Sequence, residues 1–118
     1  MANTPPHYSP LTKAGDLYFT SGQLPLLNRA TKEVAQGIEA QTLLVLEKAE
    51  ALLKAVGLDR SHIIKTTAFI TDIDDWGAVN EVYAEFFGDH KPARSIIPVR
   101  DLHFGCLIEL EAIATKEN

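Results

Sequence analysis

The sequence predicts an α+β fold, in which two helices pack on one face of a mixed β-sheet. Three observations lead to this prediction. Short β-favouring runs lie near both ends of the chain, an apolar stripe with helical spacing runs from Ile38 to Val56, and a β-branched run separates it from a second helical segment. The predicted order is β-β-α-β-α-β-β, and right-handed crossovers would place both helices on the same face of the sheet.

The first two predicted strands form a hairpin. They span residues 7–13 and 17–24, on either side of the turn sequence Ala14-Gly15-Asp16, where glycine supplies the turn and the flanking residues favour strands. The segment from Leu26 to Gln36 contains Asn, Thr and Lys and is followed by Gly37, which predicts a loop with room for a short strand.

The first helix is predicted from apolar residues that recur every three to four positions between Ile38 and Val56. Gly57 suits the left-handed position that ends a helix, and Lys54 lies favourably near the negative end of the helix dipole. The run that follows, residues 63–70, is rich in β-branched residues and too short for another core helix, so it is predicted to be a buried strand.

A cluster of aspartates marks the start of the second helix. Carboxylates there accept unpaired amide hydrogens, and we expect the helix to run to about Phe87 and to end at Gly88. Asn80 lies on the inner stripe of this helix, where its amide must find a partner. The expected inner face consists of Trp76, Val79, Tyr83, Phe86 and Phe87, and the aspartates are Asp72, Asp74 and Asp75.

The last two strands are predicted near residues 94–100 and 107–115. Alternation gives the second of them one wholly apolar face, which should meet the helices, and an opposite face that carries Glu109. If the first strand also turns its more apolar side to the helices, Arg94 and Glu109 point to the same side, which a partner subunit would cover. The apolar face consists of Ile108, Leu110, Ala112 and Ala114.

Length and charge limit the possible functions. The chain has 118 residues, of which 46% are hydrophobic, so residues 1–118 are expected to form a single domain. The net charge is −5 and the basic residues are scattered, which argues against a nucleic-acid partner. No run approaches a membrane span, no targeting segment is evident, and Cys106 is the only cysteine; together these predict a cytoplasmic protein without a disulfide, in which Cys106 is a small core residue.

Arg94 is the most informative single residue. It stands in Pro92-Ala93-Arg94-Ser95, at the start of an apolar strand, and its guanidinium is always charged and has five donors to satisfy. Its partner is either an acid of the same chain or a ligand carboxylate. The four histidines lack the spacing of metal ligands, and neither a phosphate-binding glycine loop nor a nucleophile elbow is present, so no metal or cofactor is expected.

Several motifs together resemble the reactive-intermediate deaminase family, also called Rid or YjgF. Pro-Ala-Arg-Ser is followed, fifteen positions after Arg94, by Glu109 in the run Glu-Leu-Glu-Ala-Ile-Ala. Tyr8, the run Ser21-Gly22-Gln23-Leu24-Pro25, the strand at 65–70 and the run Val79-Asn80-Glu81-Val82-Tyr83 stand in the family's order over nearly the whole chain.

The resemblance implies a fold similar to the small trimeric chorismate mutases, in which three subunits join their sheets into a barrel and the sites lie in clefts between subunits. It implies catalytic roles for Arg94 and Glu109. It also implies a substrate-binding role for Arg94 together with Tyr8, Ser21, Gly22 and Asn80. Two departures bear on substrate choice: Ile96 stands where many members have cysteine, and the 87–92 loop is short.

The implied activity is hydrolysis of reactive 2-imino acids such as 2-iminopropanoate and 2-iminobutanoate to 2-keto acids and ammonia, by a cytoplasmic homotrimer without a cofactor. Such imines are released by pyridoxal-phosphate dehydratases, and their removal would protect pyridoxal-phosphate enzymes. An alternative is a non-catalytic trimeric module that binds small carboxylates. A third reading, a ribonuclease or translation inhibitor, fits poorly with a net charge of −5.

Overall fold

The structure is a computed structural model and describes residues 4–117. Nine strands and helices follow one another along this part of the chain: β1 (Leu11–Ala14), β2 (Leu17–Thr20), β3 (Leu26–Asn28), β4 (Glu33–Val34), α1 (Ile38–Lys54), β5 (Ile63–Ile70), α2 (Trp76–Phe87), β6 (Ala93–Pro98) and β7 (Ile108–Thr115). Short 3₁₀ turns precede β5, α2 and β7.

The main sheet has five strands in the order β1-β2-β7-β5-β6. The pair β5–β6 is parallel, and the other neighbours in this sheet are antiparallel, so the predicted mixed sheet is confirmed. Strands β3 and β4 form a separate small hairpin within the segment predicted as a loop. β6 is an edge strand, and β5 separates it from β7.

The core lies between one face of this sheet and the two helices. The predicted alternation of β7 is confirmed, because its four apolar residues, from Ile108 to Ala114, are buried while Glu109 and Glu111 lie on the other face. Burial of one large aliphatic side chain stabilises a fold by roughly 1.5–3 kcal/mol. Helix α1 contributes four fully buried residues to the same cluster, namely Val45, Leu46, Ala49 and Leu53.

Local sequence signals correctly predicted where several strands and helices begin or end. Strand β5 begins and ends where the β-branched run predicted. Helix α1 ends at Lys54, two residues earlier than the apolar stripe, and Gly57 has the expected left-handed backbone with φ 84°. The Gly57 N–H donates to the Lys54 carbonyl, and the Leu58 N–H donates to the Leu53 carbonyl, so the final carbonyls of the helix are satisfied.

The hairpin is confirmed but shorter than predicted. Ala14 pairs with Leu17 across the turn, yet β1 starts only at Leu11 and β2 ends at Thr20. Beyond Thr20 the chain leaves the β1–β2 ladder, and Gln23 pairs instead with Leu110 of β7. This change of partner places Ser21 and Gly22 beside the last strand.

The start of α2 agrees with the aspartate signal, because the Asp72 carboxylate accepts a hydrogen bond of 2.9 Å from the Asp74 N–H. The expected burial of Trp76 is wrong: its side chain is 44% exposed, whereas Val79 and Tyr83 are buried as predicted. Trp76 is the first residue of the helix, and its ring faces the Arg94 guanidinium rather than the core.

An ion pair between the partly exposed Arg60 and the buried Glu50 ties α1 to the end of α2. Glu50 is 5% exposed, and its carboxylate accepts hydrogen bonds from the backbone N–H and the guanidinium of Arg60, the shortest being 2.8 Å. Arg60 also donates to the Phe86 carbonyl and stacks on the Phe86 ring. Burial alone would raise the pKa of Glu50, but the hydrogen bonds from Arg60 outweigh it and hold that pKa below its usual range.

Cys106 is buried, as expected for a small core residue. Burial is the largest cause that raises the pKa of its thiol, the Glu109 carboxylate adds to it, and Lys48 partly offsets it. Among residues 4–117, the helices lack the combination of length and apolar character that crossing a membrane requires.

Candidate functional site

Arg94 lies on the edge strand β6 and faces α2. Its Nη1 donates a hydrogen bond of 2.9 Å to Asn80 Oδ1, and its guanidinium carbon lies 5.1 Å from the centre of the Trp76 ring and 5.0 Å from that of Tyr83. The expected partner for the Asn80 amide is therefore found. The prediction that Arg94 and Glu109 share one side of the sheet is wrong, because two aromatic faces and an amide accommodate the guanidinium on the helix side.

Arg94 forms no ion pair with any carboxylate in the described part of the chain. Of the two partners considered for it, an acid of the same chain is thus excluded within residues 4–117. Its guanidinium lines a cavity of about 350 Å³, together with Asn80, Tyr83, His90 and Lys91. The site can therefore offer a positive charge to an anionic ligand.

Tyr83 forms the neutral wall of this cavity. Its hydroxyl lies 3.0 Å from the Thr66 hydroxyl, which is buried in β5. Burial raises the pKa of Tyr83 to about 12, against the lowering effects of Thr66 and Arg94. The phenol therefore stays protonated at neutral pH and does not compete with a ligand for the charge of Arg94.

Glu109 lies on the opposite face of the sheet. It pairs in register with Phe69 of β5, and its side chain reaches across to Gly22. A Cβ at residue 22 would meet the carboxylate oxygen Oε2 and would lie 2.9 Å from Glu109 Cδ, so only glycine leaves room for this carboxylate. Burial raises the pKa of Glu109, the Glu111 carboxylate raises it further, and His103 partly offsets both.

The segment that carries Gly22 is fixed on β7 by Gln23. The Gln23 N–H donates to the Leu110 carbonyl at 2.7 Å, and the Leu110 N–H donates to the Gln23 carbonyl at 3.1 Å. The Gln23 side chain donates to Ser21 Oγ at 3.2 Å and to the Ser21 carbonyl at 3.1 Å. Ser21, Gly22 and Tyr8, which is 56% exposed, line a second cavity of about 480 Å³.

The six predicted site residues therefore fall into two groups. Asn80 and Arg94 form what we term the arginine half-site, on the helix side of β6. The glutamate half-site lies on and beside β7 and contains Glu109 in contact with Gly22, together with Ser21 and Tyr8. Because β5 lies between β6 and β7, one chain does not unite the two half-sites, and Arg94 and Glu109 do not neutralise each other within the chain.

Sequence reasoning did not find the basic residues around the second cavity. Arg29 and Lys32 follow β3, and Lys48 on α1 donates a hydrogen bond of 2.8 Å to the Leu24 carbonyl. Lys32 places its ammonium 5.5 Å from the centre of the Phe104 ring. Lys48 and Phe104 are distant in sequence from Arg29 and Lys32, and no local spacing indicates that these residues meet. In the described part of the chain, no group of three or more His, Cys, Asp or Glu residues could hold a metal ion.

Comparison with known proteins supports one family over nearly the whole chain. The family model described as "Endoribonuclease L-PSP" matches residues 1–116. A RutC family protein of Pyrococcus horikoshii is 45% identical over 111 residues, which cover 93% of this chain and 87% of that protein. The putative reactive intermediate deaminase TdcF of Escherichia coli is 41% identical over 105 residues, which cover 86% of this chain and 81% of TdcF.

Solved structures agree with this result. The crystal structure described as E. coli TdcF with bound serine has a TM-score of 0.86 and 39% identity, and the match covers 98% of this chain and 91% of that one. The chain also shares 43% identity over 108 residues with the chloroplastic Reactive Intermediate Deaminase A of Arabidopsis thaliana, covering 92% of this chain and 58% of that protein. The α+β fold, the ordered motifs and these matches show that the chain belongs to the Rid, or YjgF, family.

Proposed function

We propose that this protein hydrolyses reactive 2-imino acids, such as 2-iminopropanoate and 2-iminobutanoate, to 2-keto acids and ammonia. The observation that carries the proposal is the separation of two complementary groups. Arg94 is a cation without an acidic partner in the described residues, and Glu109 is a half-buried carboxylate whose raised pKa suits proton transfer. The deaminase names of TdcF and of the Arabidopsis relative favour the same chemistry.

The two half-sites require a second copy of the chain, and a homotrimer is the assembly we propose. The outer face of the sheet, away from the helices, exposes three large apolar side chains on β2 and β6: Leu17, Phe19 and Ile97. These side chains lie towards the two edges of the sheet, because β7 and β5 separate β2 from β6. Joining these faces around a threefold axis would cover them and set the arginine half-site of one subunit against the glutamate half-site of the next.

In the proposed mechanism the substrate carboxylate binds Arg94 through a two-bond fork, and the Ser21 hydroxyl supports it. Glu109 takes a proton from a water molecule, whose oxygen then bonds to the imine carbon while the C=N electron pair moves to nitrogen. Glu109 returns this proton to the amino group of the resulting carbinolamine, the C–N bond breaks and ammonia leaves. The C=O bond of the 2-keto acid forms as the hydroxyl proton passes to Glu109, which releases it to water. An iminium carbon is already electrophilic, so positioning and a modest base suffice.

The substrates would be the unstable products that pyridoxal-phosphate dehydratases release from serine and threonine. Their hydrolysis would protect pyridoxal-phosphate enzymes from attack by the enamine form. We propose that the reaction takes place in the cytoplasm. The mechanism as proposed uses side chains and water and assigns no role to a cofactor.

A second candidate function is a trimeric module that binds small carboxylates without turning them over. The crystal structure described as TdcF with bound serine favours this candidate, because serine carries a carboxylate and no imine. The ribonuclease named by the family model is less compatible with a net charge of −5 and with an arginine enclosed by aromatic rings.

Ammonia release from freshly generated imines tests the proposal. Serine or threonine dehydratase supplies the imine, and the protein should accelerate ammonia release beyond spontaneous hydrolysis in proportion to its concentration. Glu109→Gln protein serves as the matched control. If 2-oxobutanoate binds while ammonia release stays at the spontaneous rate, the binding module is the better description. Salt-dependent RNA binding would instead revive the ribonuclease.

A further inference from the structure

The cavity beside Ser21 and Gly22 carries an excess of positive charge. Arg29, Lys32 and Lys48 line it, and its lining residues include no aspartate or glutamate, although the chain as a whole has a net charge of −5. Within residues 4–117 none of these three cations takes part in an ion pair. Their charge is therefore available to an anion that enters the cavity.

Lys48 is held in place by the backbone of the neighbouring loop. Its Nζ donates to the Leu24 carbonyl at 2.8 Å and to the Leu26 carbonyl at 3.4 Å, which leaves one of its three N–H groups for a ligand. Burial, and next the positive charge of Arg29, lower the pKa of Lys48 from its ordinary value. An anion bound between Lys48 and Arg29 would relieve this repulsion.

Two strained residues form another wall of the cavity. Lys32 and Phe104 have φ values of 62° and 61°, and they are the two non-glycine residues with positive φ in the described part of the chain. Such backbone is unfavourable for residues with a Cβ and tends to occur at functional sites. The two residues also contact each other, with the Lys32 ammonium 5.5 Å from the centre of the Phe104 ring.

The size of the cavity is a third observation. Its volume of about 480 Å³ is more than the methyl or ethyl group of 2-iminopropanoate or 2-iminobutanoate needs. A longer side chain that ends in an anion would use both the space and the charge. Glu109, whose carboxylate contacts Gly22, is not among the residues that line the cavity.

We propose that this cavity recognises a second carboxylate on the substrate, so that 2-imino dicarboxylates such as 2-iminoglutarate are preferred over 2-iminopropanoate. The assignment rests on the proposed function, in which the first carboxylate binds Arg94 of a neighbouring subunit. The side chain then extends past Tyr8, and its terminal carboxylate binds Arg29, Lys32 and Lys48. Water adds to the imine carbon and ammonia leaves, so 2-iminoglutarate yields 2-oxoglutarate.

Kinetic selectivity tests this proposal in the intact protein. L-glutamate oxidase with catalase generates 2-iminoglutarate, serine dehydratase generates 2-iminopropanoate, and kcat/KM is measured for each. In the Arg29→Gln/Lys32→Gln variant the ratio of dicarboxylate to monocarboxylate kcat/KM should fall about 10-fold or more, as expected for lost charge-assisted hydrogen bonds. The matched control is Arg100→Gln, since Arg100 is exposed and does not line the cavity; its ratio should equal that of the parent.

Calorimetric titration with stable keto acids separates this proposal from the deaminase activity. The parent should bind 2-oxoglutarate about 10-fold more tightly than 2-oxobutanoate, and the double variant should lose this preference. Equal affinities in the parent would overturn the dicarboxylate assignment even if the protein is an active deaminase. If inorganic phosphate binds the cavity as tightly as 2-oxoglutarate does, the assignment is also overturned, because the cavity is then a general anion site. If the parent prefers 2-oxoglutarate over 2-oxobutanoate but hydrolyses no imine, the proposed deaminase activity is wrong and the assignment of a dicarboxylate site stands.

Discussion

Gly22 and Glu109 are in such close contact that the absence of a side chain at residue 22 determines where the carboxylate lies. A Cβ there would meet Glu109 Oε2 and would lie 3.3 Å from Cγ. Gly22 is not among the glycines with positive φ, so glycine is needed at residue 22 for the observed position of the Glu109 carboxylate rather than for the backbone conformation.

Gly22→Ala should displace the Glu109 carboxylate while the fold is retained, because the group that must move is the end of a flexible side chain. We expect turnover of 2-iminopropanoate to fall at least 10-fold, since small misplacements of a catalytic group are costly. Steady-state kinetics and thermal unfolding measure the two effects. Gly77→Ala is the matched control, because a Cβ there meets nothing within 4 Å and alanine favours the helix by roughly 0.5–1 kcal/mol. Undiminished turnover in Gly22→Ala would show that the position of Glu109 is unimportant.

Glu109→Gln should separate binding from catalysis, because it keeps the size of the side chain and removes the base. Turnover should fall about 10²-fold or more, while 2-oxobutanoate still binds through Arg94. Since the raised pKa of Glu109 must be exceeded before it acts as a base, parent activity should rise with pH through that pKa, and the variant should lack this limb. Full activity in a well-folded Glu109→Gln protein would refute the mechanism.

Arg94→Lys should lose most activity and still fold. An ammonium keeps the charge but cannot form a planar fork with a carboxylate. We expect a loss of about 1.5–3 kcal/mol of substrate binding, the usual contribution of a hydrogen bond to a charged group. Titration with 2-oxobutanoate and the ammonia assay measure the loss, and light scattering checks the assembly. Parent-like turnover would mean that Arg94 serves structure through Asn80 and the two aromatic rings.

The protein should be a homotrimer at micromolar concentration. Alternation along the last two strands predicts an apolar sheet face of Ile96, Pro98, Leu107 and Ile113 that a partner subunit would cover. In the structure, however, Ile96 and Leu107 pack against the core of the chain. On the outer face, the exposed large apolar residues of β2 and β6 are instead Leu17, Phe19 and Ile97. Light scattering measures the mass, and Ile97→Lys should weaken assembly by burying an unpaired charge. A monomer or dimer mass would remove the cleft that unites the two half-sites.

Acid should weaken the fold through the pair of Glu50 and Arg60. The pKa of Glu50 is lower in the folded protein than its unfolded value of about 4.3, so the pair stabilises the fold above that pH. This stabilisation is lost as pH falls through the folded pKa. Glu50→Gln should cost about 1.5–3 kcal/mol at pH 7 and should flatten the acid limb of the free energy of unfolding. Glu47→Gln, at an exposed position of the same helix, should change stability by less than about 0.5 kcal/mol. Parallel acid limbs for parent and Glu50→Gln would contradict this role.

The sequence predicted those parts of the fold that depend on local signals. The β-branched run fixed both ends of β5, and Gly57 and Gly88 marked the ends of the two helices. The alternation of β7 predicted which of its faces is buried. Such features need only neighbouring residues, because strand and helix periodicities and cap geometry are local properties.

The arrangement of the site depends on contacts between distant elements and was predicted less well. Alternation along β6 did not determine which side of the sheet Arg94 occupies. The expectation that Arg94 points away from the helices was wrong, because Trp76, Tyr83 and Asn80 together accommodate its guanidinium on the helix side. The sequence did not indicate that basic residues surround the second cavity, since Lys32 contacts Phe104 only in the folded chain. The contact of Gly22 with Glu109 could likewise not be predicted from the spacing of residues in the sequence.

The position of β7 between β2 and β5 has a consequence for biosynthesis. The hairpin β1–β2 joins the main sheet only through β7, as in the bond from the Ala112 N–H to Thr20 Oγ1, which spans 92 residues. During translation the hairpin therefore emerges long before the strand that pairs with it. Contacts so distant in sequence form slowly, and unpaired strand edges invite aggregation. The nascent chain should thus be most vulnerable just before residues 108–115 leave the ribosome.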